Sequence, residues 1–149
     1  MSNQRISELT TSSVPIKATD YVEVSVYNGA TYDTKSVTGA NIRPFTTIMF
    51  NISQSGTSAP TKNFSYETEV SQTFTLARTS VGQYTLTASS ALFTLNKTFA
   101  LITPGGSSAG ISYGVIRNST TQLSFYSSNS GGYVDSVLDL AFLKINIIK

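Results

Sequence analysis

Apolar side chains in this sequence recur at every second position, in short runs rich in Val, Ile, Thr, Tyr and Phe that are broken by clusters of Gly, Asn, Ser and Pro. Successive side chains of a strand point to opposite faces, so this period buries one face and wets the other. Segments with helical period are nearly absent. Roughly seven or more strands at this spacing predict an all-β chain, an antiparallel β-sandwich or jelly roll, preceded by an N-terminal segment with a β-hairpin.

Tyr21 to Tyr27 places Val22, Val24 and Val26 on one face. Asn28-Gly29 then supplies the pair that favours φ > 0 in a type I′ turn, and Ala30 to Val37 returns. Pro44 to Ser53 carries Phe45, Ile48, Phe50 and Ile52, and residues 54–63 read as a surface loop. Val70 to Ala77 and Gly82 to Ala88 follow, joined by a turn at Thr79-Ser80-Val81-Gly82. Lys97 to Thr103 presents Phe99 and Leu101, Ile111 to Asn118 pairs with Thr121 to Ser127, and Phe142 to Ile148 is the last strand. Asp135 to Leu143 is the one stretch with helical potential, enough for a short turn or 3₁₀ piece capped by Asp135, and Ile6 to Leu9 can form a similar single turn. The expected division is an N-terminal segment with the hairpin over residues 1–40 and a sandwich over 41–149; at 149 residues the chain has room for one core and not two.

Charge is sparse: ten Lys and Arg are scattered against eight Asp and Glu, for a net +2. Nucleic acid is therefore not an expected partner, because phosphate recognition needs clustered positive charge. Membrane insertion is not expected either, since the apolar stretch from Leu138 to Ile148 is interrupted by Asp139, Lys144 and Asn146 and is too short to span. Ser and Thr supply the polarity instead, at roughly three residues in ten, well above ordinary usage. The absence of Cys and His excludes thiolate and imidazole catalysis and the metal sites built from them. No cofactor is expected.

Arg5-Ile6-Ser7-Glu8-Leu9, Thr19-Asp20-Tyr21-Val22-Glu23-Val24, Tyr27-Asn28-Gly29-Ala30-Thr31 and Thr34-Lys35-Ser36-Val37 resemble, in order and spacing, the start of many tailed-phage fibre and head-fibre proteins. The likeness covers about the first 40 residues. Val81 to Thr87, the strand from Lys97 to Thr103 and the ending Leu143 to Ile148 look like the C-terminal sandwich of such fibres. The resemblance implies a virion structural protein, assembled in the host cytoplasm, that docks on other virion proteins through Ile6, Leu9, Tyr21 and Val24. It also implies a homotrimer, serving as a short fibre or knob with a host-surface glycan as a possible contact. This sequence departs from the pattern in having no long shaft between anchor and sandwich.

The chemistry open to the chain is limited. Glu67 and Glu69 share a strand face, but nothing nearby would bury and tune a carboxylate, so solvation is the expected role. Asp135 and Asp139 read as cap and surface residues, and Gly105-Gly106 and Gly131-Gly132 as turns. Phe74, Tyr84, Phe99 and Phe125 are assigned to the core. Tyr113, Tyr126 and Tyr133 lie near Gly/Ser-rich loops and are the candidates for an exposed patch: first as an interface between copies, second as rings on which a sugar could stack. The alternative functions are a carbohydrate-binding module or adhesin tip without virion anchoring, and a glycan-degrading enzyme.

Overall fold

The computed structural model describes residues 21–27, 29–38, 45–67, 70–106 and 109–149. Two compact units are present, Met1–Arg43 and Pro44–Lys149. The first contains β1 (Tyr21–Tyr27) and β2 (Tyr32–Thr38), an antiparallel pair in register from Tyr21↔Thr38 to Tyr27↔Tyr32. The hairpin expected there forms, but its closing register leaves positions 28–31 between the strands, so a two-residue type I′ loop is not what joins them. Gly29 has φ +98°, a region that a side chain disfavours. Asn28, Ile6 and Leu9 lie outside the described residues, as does the side chain of Tyr21; Val24 is half-buried.

The second unit is an antiparallel β-sandwich. Its strands are β3 (Phe45–Ser53), β4 (Thr61–Glu67), β5 (Phe74–Ser80), β6 (Gln83–Ala88), β7 (Thr98–Thr103), β8 (Ser112–Arg117), β9 (Gln122–Asn129), the short β10 (Gly132–Tyr133) and β11 (Ala141–Ile148). One sheet has the order β4-β3-β11-β7. In the other, β9 is central: β8 runs along one edge of it, and β6, continued by β10, along the other, with β5 outside β6.

The core follows from the alternation. Ile48, Phe50 and Ile52 of β3 and Leu143, Ile145 and Ile147 of β11 face Tyr84 and Leu86 of β6 and Leu123 and Phe125 of β9 across the two sheets. Phe50 meets Phe74 edge-on at 5.3 Å, and Tyr84 stacks on its cross-strand neighbour Phe125 at 5.3 Å. Both arrangements are favoured by the ring quadrupole. Phe93 and Leu138, fully buried, reach this core from the connecting segments.

Three expectations change. Phe99 is not in the core: pairing with β11 turns Ala100 and Ile102 inward and leaves Phe99 55% and Leu101 52% exposed. Period two was correct, but on this edge strand the bulkier set points outward. The loop expected over residues 54–63 ends early, because β4 begins at Thr61 and pairs with β3. No helix occurs among the described residues; the segment after β10 bends instead, with Asp135 drawn toward β5.

Candidate functional site

The segment after β10 is fixed by a polar cluster at the end of the larger sheet. Asp135 accepts hydrogen bonds from Arg78 Nε and Nη2, the latter at 2.6 Å, from Gly82 N at 2.9 Å and from Tyr84 Oη at 2.9 Å. The Arg78 guanidinium holds the Asp135 carboxyl at about 2, and the Gly82 N–H and Tyr84 hydroxyl act in the same direction. Burial and the adjacent carboxylate push the Tyr84 hydroxyl well above its usual value. Tyr84 has one proton, given to Asp135; Gln54 Oε1, 3.2 Å away, already accepts from Ser136 N at 2.6 Å. Gly82 lies so close to Val134 and Ser127 backbone atoms that a Cβ there would overlap them, and its φ is +58°. Asp135 is thus a structural anchor, where the sequence suggested a solvated cap.

That anchor positions Tyr133, which pairs with Ser128 on the edge of β9. On the same outer face stands Tyr126, whose ring meets Tyr133 edge-on at 5.8 Å. Tyr126 lies over Gly114 of β8, where a Cβ would occupy the space its ring fills, and is flanked on the other side by Gln83 of β6. The next row across these strands is Ile116, Ser124 and Thr85. Beside it Asn118 donates through Nδ2 to Ser124 Oγ and to Gln122 Oε1. Tyr126, Tyr133, Gln83, Ile116, Ser124 and Asn118, with Thr79, border a shallow hollow of about 220 Å³ lined by no charged residue.

Of the three candidate tyrosines the structure joins two. Tyr113 belongs to the opposite face: its ring packs on the core and its hydroxyl donates to Val137 O at 2.9 Å. Gln83 and Asn118 were missed because amides in strands carry no periodic signal; their cross-strand register with Tyr126 and Ser124 exposes their role only in three dimensions. Glu67 is half-buried on β4, and Glu69 lies outside the described residues.

The outer face of the four-stranded sheet is different in kind. Phe64 and Tyr66 of β4, Phe45 of β3, Phe142 of β11, and Phe99 and Leu101 of β7 are all about half exposed. Four of them stand in cross-strand rows, Phe64–Asn51–Phe142 and Tyr66–Met49–Lys144–Leu101, while Phe99 pairs with Asn146 and Phe45 with Ile148. A second hollow, about 550 Å³, lies between the 54–61 segment and Ser136 and Asp139, lined largely by hydroxyls. Comparison of the chain with family models, curated proteins and solved structures gave no match.

Proposed function

We propose that the chain is a virion structural protein of a tailed phage, a short fibre or knob on head or tail. Its N-terminal segment docks on other virion proteins and its sandwich assembles as a homotrimer. The observation that carries the assembly is the apolar outer face of the four-stranded sheet. Its six half-exposed large side chains offer roughly 500 Å² of apolar surface, near the upper end of what a monomer leaves open. That is the larger part of one partner's share, about 800 Å², of a standard interface.

The occupant is a second copy of the same face. Lys144 is the charged residue within these rows, and its aliphatic stem can lie on the apolar surface while the ammonium stays in solvent. Aromatic residues and Met, enriched where protein interfaces are fully dehydrated, occur on all four strands of this face, as Phe64, Tyr66, Phe45, Met49, Phe142 and Phe99. Three copies, rather than two, follow from the fibre-like motifs of the first 40 residues. The hollow beside Tyr133 favours a second reading, a carbohydrate-binding module that acts as a monomer.

A light-scattering mass of the purified chain tests the assembly. Three chains of 16.0 kDa are expected for the parent, and a single chain for a variant carrying Phe99→Glu and Phe142→Glu. A parent mass of one or two chains at micromolar concentration overturns the trimer. A trimer that survives both substitutions overturns this face as its interface.

A further inference from the structure

We propose that the hollow bordered by Tyr126, Tyr133, Gln83 and Asn118 is a binding site for a neutral saccharide. Sugar rings present apolar C–H faces together with hydroxyls that both donate and accept, so a site for them needs an aromatic surface beside uncharged polar groups. Both are here. Tyr133 is 51% exposed and stands edge-on to Tyr126. The Gln83 carboxamide, the Tyr126 and Tyr133 hydroxyls and Asn118 Oδ1 have no hydrogen-bond partner among the described residues, although the backbone and side chains around them are well paired.

The site is built rather than accidental. Gly114 leaves the room that the Tyr126 ring takes, and the Asp135–Arg78 pair with Gly82 fixes the segment that carries Tyr133. The segment carrying Tyr133 is therefore held in place before a ligand arrives, which lowers the ordering cost of binding. Specificity follows from charge: no Lys, Arg, Asp or Glu lines the hollow. An acidic sugar would lose hydration there and gain no counter-charge. A volume of about 220 Å³ suits a single ring with its neighbours left in solvent.

This site lies on the larger sheet and goes beyond the trimer reading, which rests on the other sheet, so the two can fail separately. The test is saturation-transfer NMR and tyrosine fluorescence on the full chain. The neutral probes are maltotriose, chitotriose and a galactose trisaccharide, with trigalacturonate as the charged control. At least one neutral probe is expected to bind, and trigalacturonate more weakly. Tyr133→Ala should weaken binding about three- to tenfold and Gln83→Ala about fivefold, while Leu95→Ala, an exposed side chain between β6 and β7, leaves it unchanged. No binding of any neutral probe at millimolar concentration, equal binding by Tyr133→Ala, or tighter binding of trigalacturonate overturns the proposal. A change of solution mass in Tyr133→Ala also overturns it, because it would make the patch an interface between copies.

Discussion

Asp135 and Arg78 are 57 positions apart, yet both carboxylate oxygens of one accept from the guanidinium of the other, and the same carboxylate also takes the Gly82 N–H and the Tyr84 hydroxyl. The pair therefore ties the turn between β5 and β6 to the segment that follows β10. Forked geometry of this kind makes a stronger hydrogen bond than neutral groups do.

The first prediction concerns acid. Asp135 titrates lower in the folded protein, about 2 against an ordinary value of 3.8, so its contribution is complete above the ordinary value and is lost as pH falls from about 4 through about 2. Urea melts across this range should show the parent weakening more steeply than Asp135→Asn. At neutral pH the substitution should cost about 2 kcal/mol. Parallel acid profiles for the two proteins would show that the pair is too well solvated to matter.

A second prediction runs toward greater stability. Thr98 Oγ1 is buried without a hydrogen-bond partner. Thr98→Val keeps the branched shape and removes the unpaired hydroxyl, so it should stabilise the sandwich by about 1 kcal/mol. A lower melting temperature for the variant would mean that a water molecule satisfies this oxygen.

Gly114 offers a test that separates site from stability. A methyl group there enters the space of the outer end of the Tyr126 ring, and that half-buried ring can swing away. Gly114→Ala should therefore cost no more than about 1 kcal/mol while breaking the Tyr126–Tyr133 contact and weakening saccharide binding. Unchanged affinity, measured beside unchanged melting, would remove Tyr126 from the site.

The proposed division of labour along the chain gives the fourth. Deleting residues 1–20 removes the Ile6 to Leu9 element but no strand of the Pro44–Lys149 unit. The truncated chain should melt and assemble as the parent does and should fail to co-sediment with fibre-less particles, because attachment would rest on a segment that orders on docking. A truncated chain that still co-sediments would place the anchor elsewhere.

What the sequence made legible is what burial enforces. Ile48, Phe50 and Ile52, like Leu143, Ile145 and Ile147, alternate because one face of each central strand is sealed against the other sheet. On the edge strands that rule weakens. β7 turns Ala100 and Ile102 inward and Phe99 and Leu101 outward, and β4 is exposed along nearly its whole length, so Phe64 and Tyr66 alternated without marking a core. The aromatic patch was partly legible: Tyr126 and Tyr133 follow from their Gly/Ser-rich surroundings, whereas Tyr113 sits on the inner side of β8 by parity. Arg78 as the partner of Asp135 could not be read, since nothing in the order of residues states which distant strand ends meet.

β11 lies between β3 and β7, with Thr47 bonded to Asn146 across a sequence separation of 99. The middle of one sheet is thus supplied by chain synthesised long after its neighbour, and ordering so distant a partner delays the rate-limiting step of folding. Until it arrives, β3 and β7 both present open backbone, and the apolar side chains of β3 are without their neighbours. A newly made chain is then most vulnerable to wrong pairing with another. Where two such chains meet while folding, the interval between emergence of β7 and insertion of β11 decides whether they pair natively or wrongly.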